Sequence, residues 1–229
     1  MKTNISSVKK KNKILTPSLT SIFYICSIFT LSFGFSQSNL NLKTLDINSF
    51  GKEFKWGAAC AAYQVEGAWD IDGKGPSIWD TFTHKKGKIQ SNENGDVATD
   101  FYHRYEEDIA LLKEMGFNVF RFSISWSRIF PYGTGKINPK GVAFYHKVID
   151  ECIKQGIEPW ITLYHWDLPN ALDEQGGWTN RDILKWFNGY VSFCTKEYGS
   201  KVKNWMVMNE PAAFVGLGYM LGYHAPGKK

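Results

Sequence analysis

The sequence contains no acidic residue before Asp46, and its excess of positive charge comes from that same region. Five lysines lie within residues 1–36, so removing this segment leaves 22 basic residues against 22 acidic ones. A near-neutral remainder gives no sign of the strongly basic balance that is typical of nucleic-acid binding domains. We therefore expect no nucleic-acid partner.

The sequence also lacks a convincing membrane span. The apolar stretch at residues 21–35 is shorter than the roughly 18–20 residues that a spanning helix needs. Lysines precede this stretch, and the small residues Gly34 and Ser36 end it, as in a secretory signal peptide. Residues 1–36 are therefore predicted to be cleaved after Ser36, which makes the protein secreted or periplasmic. The alternative is an uncleaved membrane anchor.

Cysteine is scarce, with four in 229 residues. Cys26 lies in the predicted signal peptide, and the other three show no metal-ligand spacing. Cys152 and Cys194 fall on the apolar faces of predicted helices, which indicates buried free thiols. We expect neither a metal nor any other cofactor.

Two hydrophobic periods alternate along the chain beyond residue 50. Strand-like segments occur at residues 54–63, 118–126, 158–166 and 204–210. Helical periodicity separates them at residues 100–115, 139–155 and 180–198. Strands that alternate with helices predict a parallel α/β sheet, either doubly wound or a (β/α)8 TIM barrel.

The ends of the predicted strands favour the barrel. Polar side chains occur at or near the end of each strand, where barrel enzymes place their functional residues: Gln64, Glu66, Arg121, His165, Asn209 and Glu210. The glycine fingerprint of dinucleotide-binding sheets does not follow the first strand. About four βα units of a (β/α)8 barrel are therefore predicted in residues 51–229, after a lead-in at residues 37–50.

Glu210 is the first candidate for chemistry. It lies between Asn209 and Pro211 after an apolar strand, which predicts a partly desolvated carboxyl. Desolvation raises the pKa of a carboxyl and suits a general acid. A strand-end glutamate paired with an arginine accounts for the tripeptide equally well.

Other candidates suit carbohydrate binding. A neutral His165 can hydrogen-bond a sugar hydroxyl while Trp166 covers a sugar face, and Gln64 offers both a donor and an acceptor. Arg121, if buried, needs a counter-carboxylate, either catalytic or structural. The acids of the first loop are expected to be solvated: Glu66, Asp70, Asp72 and Asp80.

These segments together resemble glycoside hydrolase family 1, the β-glucosidase family. The matching motifs follow the family order over roughly residues 50–227, at residues 54–68, 75–80, 121–126, 164–169, 209–211 and 218–227. So many ordered motifs make the resemblance specific. It implies a TIM-barrel enzyme that hydrolyses the β-glycosidic bonds of β-glucosides or short oligosaccharides with retention of configuration.

The resemblance also implies residue roles. Gln64 and His165 would bind hydroxyls of the sugar in the glycone subsite, and Asn209 would hold its 2-hydroxyl. Glu210 would be the acid/base, and Arg121 would lie beside the nucleophile. That nucleophile is a second glutamate, in a Glu-Asn-Gly motif on the seventh strand. The chain stops before that strand.

Several alternatives stay open. The chain could be a non-catalytic sugar-binding relative or an inactive fragment, and residues 1–229 alone are expected to be neither active nor well folded. A phospho-glycoside hydrolase is also possible, although a signal peptide argues against this intracellular class. Ala212 leaves the leaving-group preference open because many relatives have a large aromatic there. The glycone preference and the oligomeric state are not assigned.

Overall fold

The structure, a computed structural model, describes residues 46–228. The predicted signal peptide, its cleavage site and most of the lead-in therefore lie outside the described residues. The chain divides into two units at Phe54 and Lys55. The described part of the first unit contains a 3-10 helix, Ile47–Phe50, and the Phe50 and Phe54 rings lie 5.1 Å apart. Within residues 46–228 no helix is long and apolar enough to cross a membrane.

The second unit contains one sheet of four parallel strands in the order β1-β2-β3-β4. They are β1 Gly57–Ala59, β2 Val119–Ser123, β3 Glu158–Tyr164 and β4 Asn204–Met208. Three long helices connect consecutive strands: α1 Phe101–Glu114, α2 Pro139–Lys154 and α3 Ile183–Tyr198. The predicted alternation of strands and helices is confirmed, and it provides the parallel sheet expected for part of a (β/α)8 barrel.

Short helices occupy the connections between these elements. Five are α-helical: Ala62–Val65, Ile78–Thr83, Trp126–Ile129, Asn170–Asp173 and Pro211–Phe214. Two are 3-10 helices, Gln90–Asn92 and Gly177–Thr179, and Val215–Met220 is a π-helix. Most of them follow the carboxyl end of a strand, so they help to shape the edge where the candidate residues lie.

Helix α2 shows how closely local signals determine an element. Asn138 is its N-cap, with Oδ1 accepting a hydrogen bond from the Lys140 amide at 3.3 Å, and Pro139 occupies the first turn. Gly156 follows in the left-handed region at φ 72°, which ends the helix. By contrast, α3 begins at Ile183 rather than Asn180, because residues 177–179 form a separate 3-10 turn.

The core lies between the sheet and the long helices. It includes Phe122 and Ile161 from the sheet and Ile149 from α2, all at most 2% exposed. Cys152 and Cys194 are buried free thiols in this core, as predicted. Burial raises the pKa of Cys152 to about 12, so this thiol is unreactive near neutral pH.

The strands are shorter than predicted. β1 has three residues because the chain turns into a helix after Ala61, where the Ala62 amide donates to Ser123 Oγ at 2.7 Å. β2 ends at Ser123, and Trp126 instead begins a helix and donates from Nε1 to the Gly133 carbonyl at 2.8 Å. The predicted strand ends at residues 165–166 and 209–210 likewise belong to loops.

The prediction that the first-loop acids are solvated is wrong for Glu66 and Asp80, which are only 4% and 2% exposed. Glu66 Oε2 pairs with Arg128 at 3.0 Å, and its Oε1 accepts from the Tyr145 hydroxyl at 2.6 Å. Asp80 Oδ2 pairs with Lys74 at 2.7 Å. A buried carboxylate is tolerated because an opposite charge and hydrogen bonds compensate its lost hydration.

Candidate functional site

Arg121 joins three neighbouring strands at their carboxyl ends. Its Nε donates to Thr162 Oγ1 on β3 at 2.8 Å, and its Nη2 donates to Asn209 Oδ1 after β4 at 2.7 Å. The prediction of a counter-carboxylate is therefore not met among residues 46–228, because a hydroxyl and an amide oxygen take these donors. Arg121 is half-buried, so part of its charge stays hydrated.

Two hydrogen bonds fix the backbone of Asn209. Its amide donates to the Tyr164 carbonyl at 2.9 Å, and its own carbonyl accepts from Trp166 Nε1 at 2.8 Å. Trp166 itself has φ 74°, a left-handed backbone that a non-glycine residue rarely adopts. Such strain persists only where surrounding contacts impose it, and it is common at functional sites.

Glu210 follows in a second left-handed position, with φ 42°, immediately before the helix Pro211–Phe214. Asn209 and Glu210 would point to opposite faces of a regular strand, but β4 ends at Met208 and this turn breaks the alternation.

The expected desolvation of Glu210 is not found in the described chain, where Glu210 is exposed. The reason is that β4 is an edge strand of the described sheet, and Val207 beside the site is 57% exposed. The alternative pairing of Glu210 with an arginine is also not observed between residues 46 and 228.

His165 is a neutral imidazole at physiological pH. Burial, assisted by the nearby Arg121 charge, lowers its pKa to about 4 from an ordinary value of 6.5. Its Nδ1 is buried and has no hydrogen-bond partner in the described part of the chain. A neutral imidazole has one donor and one acceptor, which suits a hydroxyl group.

A cleft of about 480 Å³ brings Gln64, His165 and Trp166 together. Arg121, Asn209 and Glu210 are not among its lining residues, so the predicted site residues form two adjoining groups rather than one pocket. The cleft lining, as far as the structure describes it, contains no lysine or arginine.

Three further ring-bearing residues line this cleft and were not predicted as site residues: Tyr63, Trp79 and His224. The His224 ring lies 5.8 Å from Trp166 and 5.5 Å from Trp79. Tyr63 stacks on Trp79 at 5.6 Å. All three lie in the motifs quoted above, but no spacing rule indicates that these motifs meet, because only the fold brings residues 63, 79 and 224 together.

A Glu-Asn-Gly tripeptide that the sequence patterns did not single out also reaches this cleft. Glu93, Asn94 and Gly95 lie in the loop before α1 and line the cleft opening. Glu93 is exposed and belongs to no strand. The tripeptide therefore lacks the strand-end position of the family nucleophile.

Comparison with known proteins identifies the family. The model for glycosyl hydrolase family 1 matches residues 46–229. The chain belongs to glycosyl hydrolase family 1. The four strands of this chain and the helices between them are part of a TIM barrel, as predicted. The family resemblance inferred from the motifs is confirmed.

Individual family members differ in their named activities. β-Glucosidase A of Acetivibrio thermocellus is 54% identical over 79% of this chain, and the aryl-phospho-β-D-glucosidase BglC of Bacillus subtilis is 52% identical over 79%. A rice β-glucosidase variant, solved in a covalent complex with Glc, superimposes with a TM-score of 0.76 at 49% identity over 77% of this chain. The matched part is 40%, 38% and 37% of these three proteins, respectively.

Proposed function

We propose that this chain carries the acid/base half of a retaining β-glycosidase of the β-glucosidase type. The observation that carries the proposal is the contact of Arg121 with Asn209, the neighbour of Glu210, at the carboxyl ends of adjacent parallel strands. Residues at this edge of a TIM barrel do the chemistry in characterised barrel enzymes. The polar residues of this chain converge there.

The Arg121 contact also orients the Asn209 amide. Because Arg121 has only donors, the Asn209 atom that faces it must be Oδ1, which leaves Nδ2 free to donate to a sugar hydroxyl. A contact to the 2-hydroxyl that tightens in the transition state contributes directly to the rate. The structure thus supports a binding role for Asn209 and a positioning role for Arg121.

Glu210 would perform proton transfer in both steps. It first protonates the glycosidic oxygen while a second carboxylate attacks the sugar, and it then removes a proton from the water that hydrolyses the glycosyl-enzyme. In a retaining site the two carboxyls lie about 5–5.5 Å apart. The second carboxylate would come from a Glu-Asn-Gly motif in the remaining part of a full-length enzyme. The covalent Glc complex of the rice relative supports this covalent route.

The Bacillus relative indicates a second candidate, a phospho-β-glucosidase. A phosphate on the sugar calls for cationic partners, which the described cleft lining lacks. We therefore favour an unphosphorylated glucoside, in line with the predicted export. Turnover of an aryl β-glucoside that exceeds turnover of its phosphorylated form supports this choice, and the reverse ratio contradicts it.

The leaving-group dependence of a Glu210→Ala variant tests the proposal in the full-length enzyme. We expect losses in kcat/KM of about 10²–10⁴ for alkyl glucosides. We expect much smaller losses for activated aryl glucosides, because an activated leaving group departs without a proton.

Glu114→Ala is the matched control, since Glu114 is also an exposed glutamate but ends α1 and does not line the cleft. It should leave both substrate classes unchanged. Equal losses on both classes for Glu210→Ala would remove Glu210 from the acid/base role. No turnover in the unmodified full-length enzyme would instead favour a non-catalytic sugar-binding protein.

A further inference from the structure

A small, partly enclosed cavity lies beside the turn that contains His165 and Trp166, the proposed sugar-binding turn. Its volume is about 10 Å³, close to the minimum space that one water molecule needs. The polar residues that line it are Glu66, Lys74, Ser77, Asp80, Ser125 and Asp167. Asp167 is 2% exposed and follows Trp166 directly in the chain.

The charges around this cavity do not balance if every acid is ionised. Arg128 pairs with Glu66 at 3.0 Å, and Lys74 pairs with Asp80 at 2.7 Å, so each cation already has one carboxylate partner. Arg128 Nη1 is buried and has no hydrogen-bond partner within residues 46–228. Asp167 is the third carboxyl, and neither of its oxygens has a hydrogen-bond partner of ordinary distance and angle within the described residues, although the nearby Ser125 hydroxyl favours its charged form. An ionised Asp167 would be a buried charge without compensation, which costs far more than a neutral acid.

We propose that one water molecule binds in this cavity and accepts a hydrogen bond from Asp167, which is a neutral carboxylic acid. The water donates its own protons to neighbouring lining oxygens, so the site carries two balanced ion pairs and no net charge.

The surroundings of Asp167 support the neutral form. Burial and the Glu66 charge raise the pKa of Asp167 to about 7, although Ser125 and Lys74 oppose the shift. The other titratable groups near it are tyrosines, Tyr63 in the cavity wall and the buried Tyr164 and Tyr190. Burial raises the pKa of each of these tyrosines, so none supplies a charge.

The site also accounts for how the sugar-binding turn is held. The segment after Asp167 is fixed to the first loop, because the Ile78 amide donates to the Leu168 carbonyl at 2.8 Å and the Asn170 amide donates to the Pro76 carbonyl at 2.9 Å. Asp167 connects this fixed segment to the strained Trp166 along the chain. The protonation state of Asp167 does not depend on the proposed activity.

Infrared spectroscopy tests the protonation state in the full-length enzyme, since residues 1–229 alone are not expected to be well folded. The readout is the carboxylic-acid band that is present in the native spectrum and lost when Asp167 is replaced. At about pH 6, exposed carboxyls are ionised, so a carboxylic-acid carbonyl stretch reports a buried neutral acid. We expect this band in the native chain and in Asp70→Asn, whose exposed side chain makes it the control. We expect the band to disappear in Asp167→Asn.

Absence of the band in the native chain overturns the proposal, even if Asp167→Asn does not fold. Persistence of the band in a folded Asp167→Asn also overturns it. A high-resolution crystal structure tests the water separately. A single density peak within hydrogen-bond distance of Asp167 supports the site, and a cavity without density contradicts it.

Discussion

At the scale of single residues, His165 shows how the fold sets the chemistry of a side chain. The sequence predicted a neutral histidine beside Trp166, and the structure supplies the cause, because burial and Arg121 lower the pKa of His165 to about 4. A histidine with a lowered pKa stays neutral in the folded state while the unfolded chain begins to take up protons near pH 6.5. Its contribution to stability is therefore present above this pH and lost as pH falls towards 4.

We predict that His165→Gln removes this acid sensitivity. The difference in Tm between native and variant proteins should shift in favour of the variant as the pH falls from about 6.5 to about 4. Asp167 changes stability with pH in the opposite direction, because its pKa is raised. Its contribution to stability is largest near pH 4 and is lost as the pH rises towards 7. Both proteins contain Asp167, so its contribution cancels when the Tm of one is subtracted from the Tm of the other. A difference in Tm that does not change with pH would contradict the assignment.

Other residue-level properties were not accessible from the sequence. Glu66 and Asp80 look like solvated loop acids, and only their tertiary partners Arg128 and Lys74 show that they are buried. The partners that Arg121 does have, Thr162 and Asn209, were not predicted for the same reason, since they come from other strands. Pairings across the sheet depend on register, which local patterns do not give.

At the scale of elements, caps and periodicity located the long helices well, while the strand ends were misjudged. α1 and α2 lie within a residue or two of their predicted bounds, because Pro, Asn and Gly act through local backbone geometry. The strands end early because side chains from neighbouring strands intercept the backbone, as Ser123 Oγ does for the Ala62 amide. Alternation of apolar residues continues past that point, so a periodic pattern overestimates strand length.

We predict that Asn138→Ala destabilises the fold by about 1–3 kcal/mol. Asn138 caps α2, and its Nδ2 also donates to the Asp72 carbonyl at 2.9 Å and the Arg128 carbonyl at 3.0 Å. The variant loses the cap and leaves buried carbonyls without donors. The free energy of unfolding from urea titration measures this loss.

Asn188→Ala is the control for that substitution. Asn188 is an exposed residue within α3, where alanine is the better helix former, so this variant should be as stable as the native chain or slightly more stable. Equal destabilisation by both substitutions would show that the cap at Asn138 contributes nothing specific.

At the scale of the whole molecule, the order of motifs along the chain predicted both the barrel and the family. The two-part arrangement of the site was not predicted, because Gln64, His165 and Trp166 share a cleft that Asn209 and Glu210 do not line. The way in which the sheet closes into a barrel determines which strand ends lie next to each other, and the order of motifs does not give this. The chain spans about 40% of the length of β-glucosidase A of Acetivibrio thermocellus. The activity of a full-length enzyme is therefore a proposal that rests on the residues this chain contributes to the site.

The central claim is that Glu210 is the acid/base of a retaining β-glycosidase, and azide tests it most directly. In a full-length Glu210→Ala enzyme, azide needs no general base, so it attacks the glycosyl-enzyme that the variant still forms from an activated aryl β-glucoside. The enzyme nucleophile inverts the anomeric carbon once and azide inverts it again, so the product has the β configuration of the substrate. The account predicts faster turnover with azide and β-glucosyl azide as the product identified by NMR. α-Glucosyl azide, or no glucosyl azide at all, would contradict it.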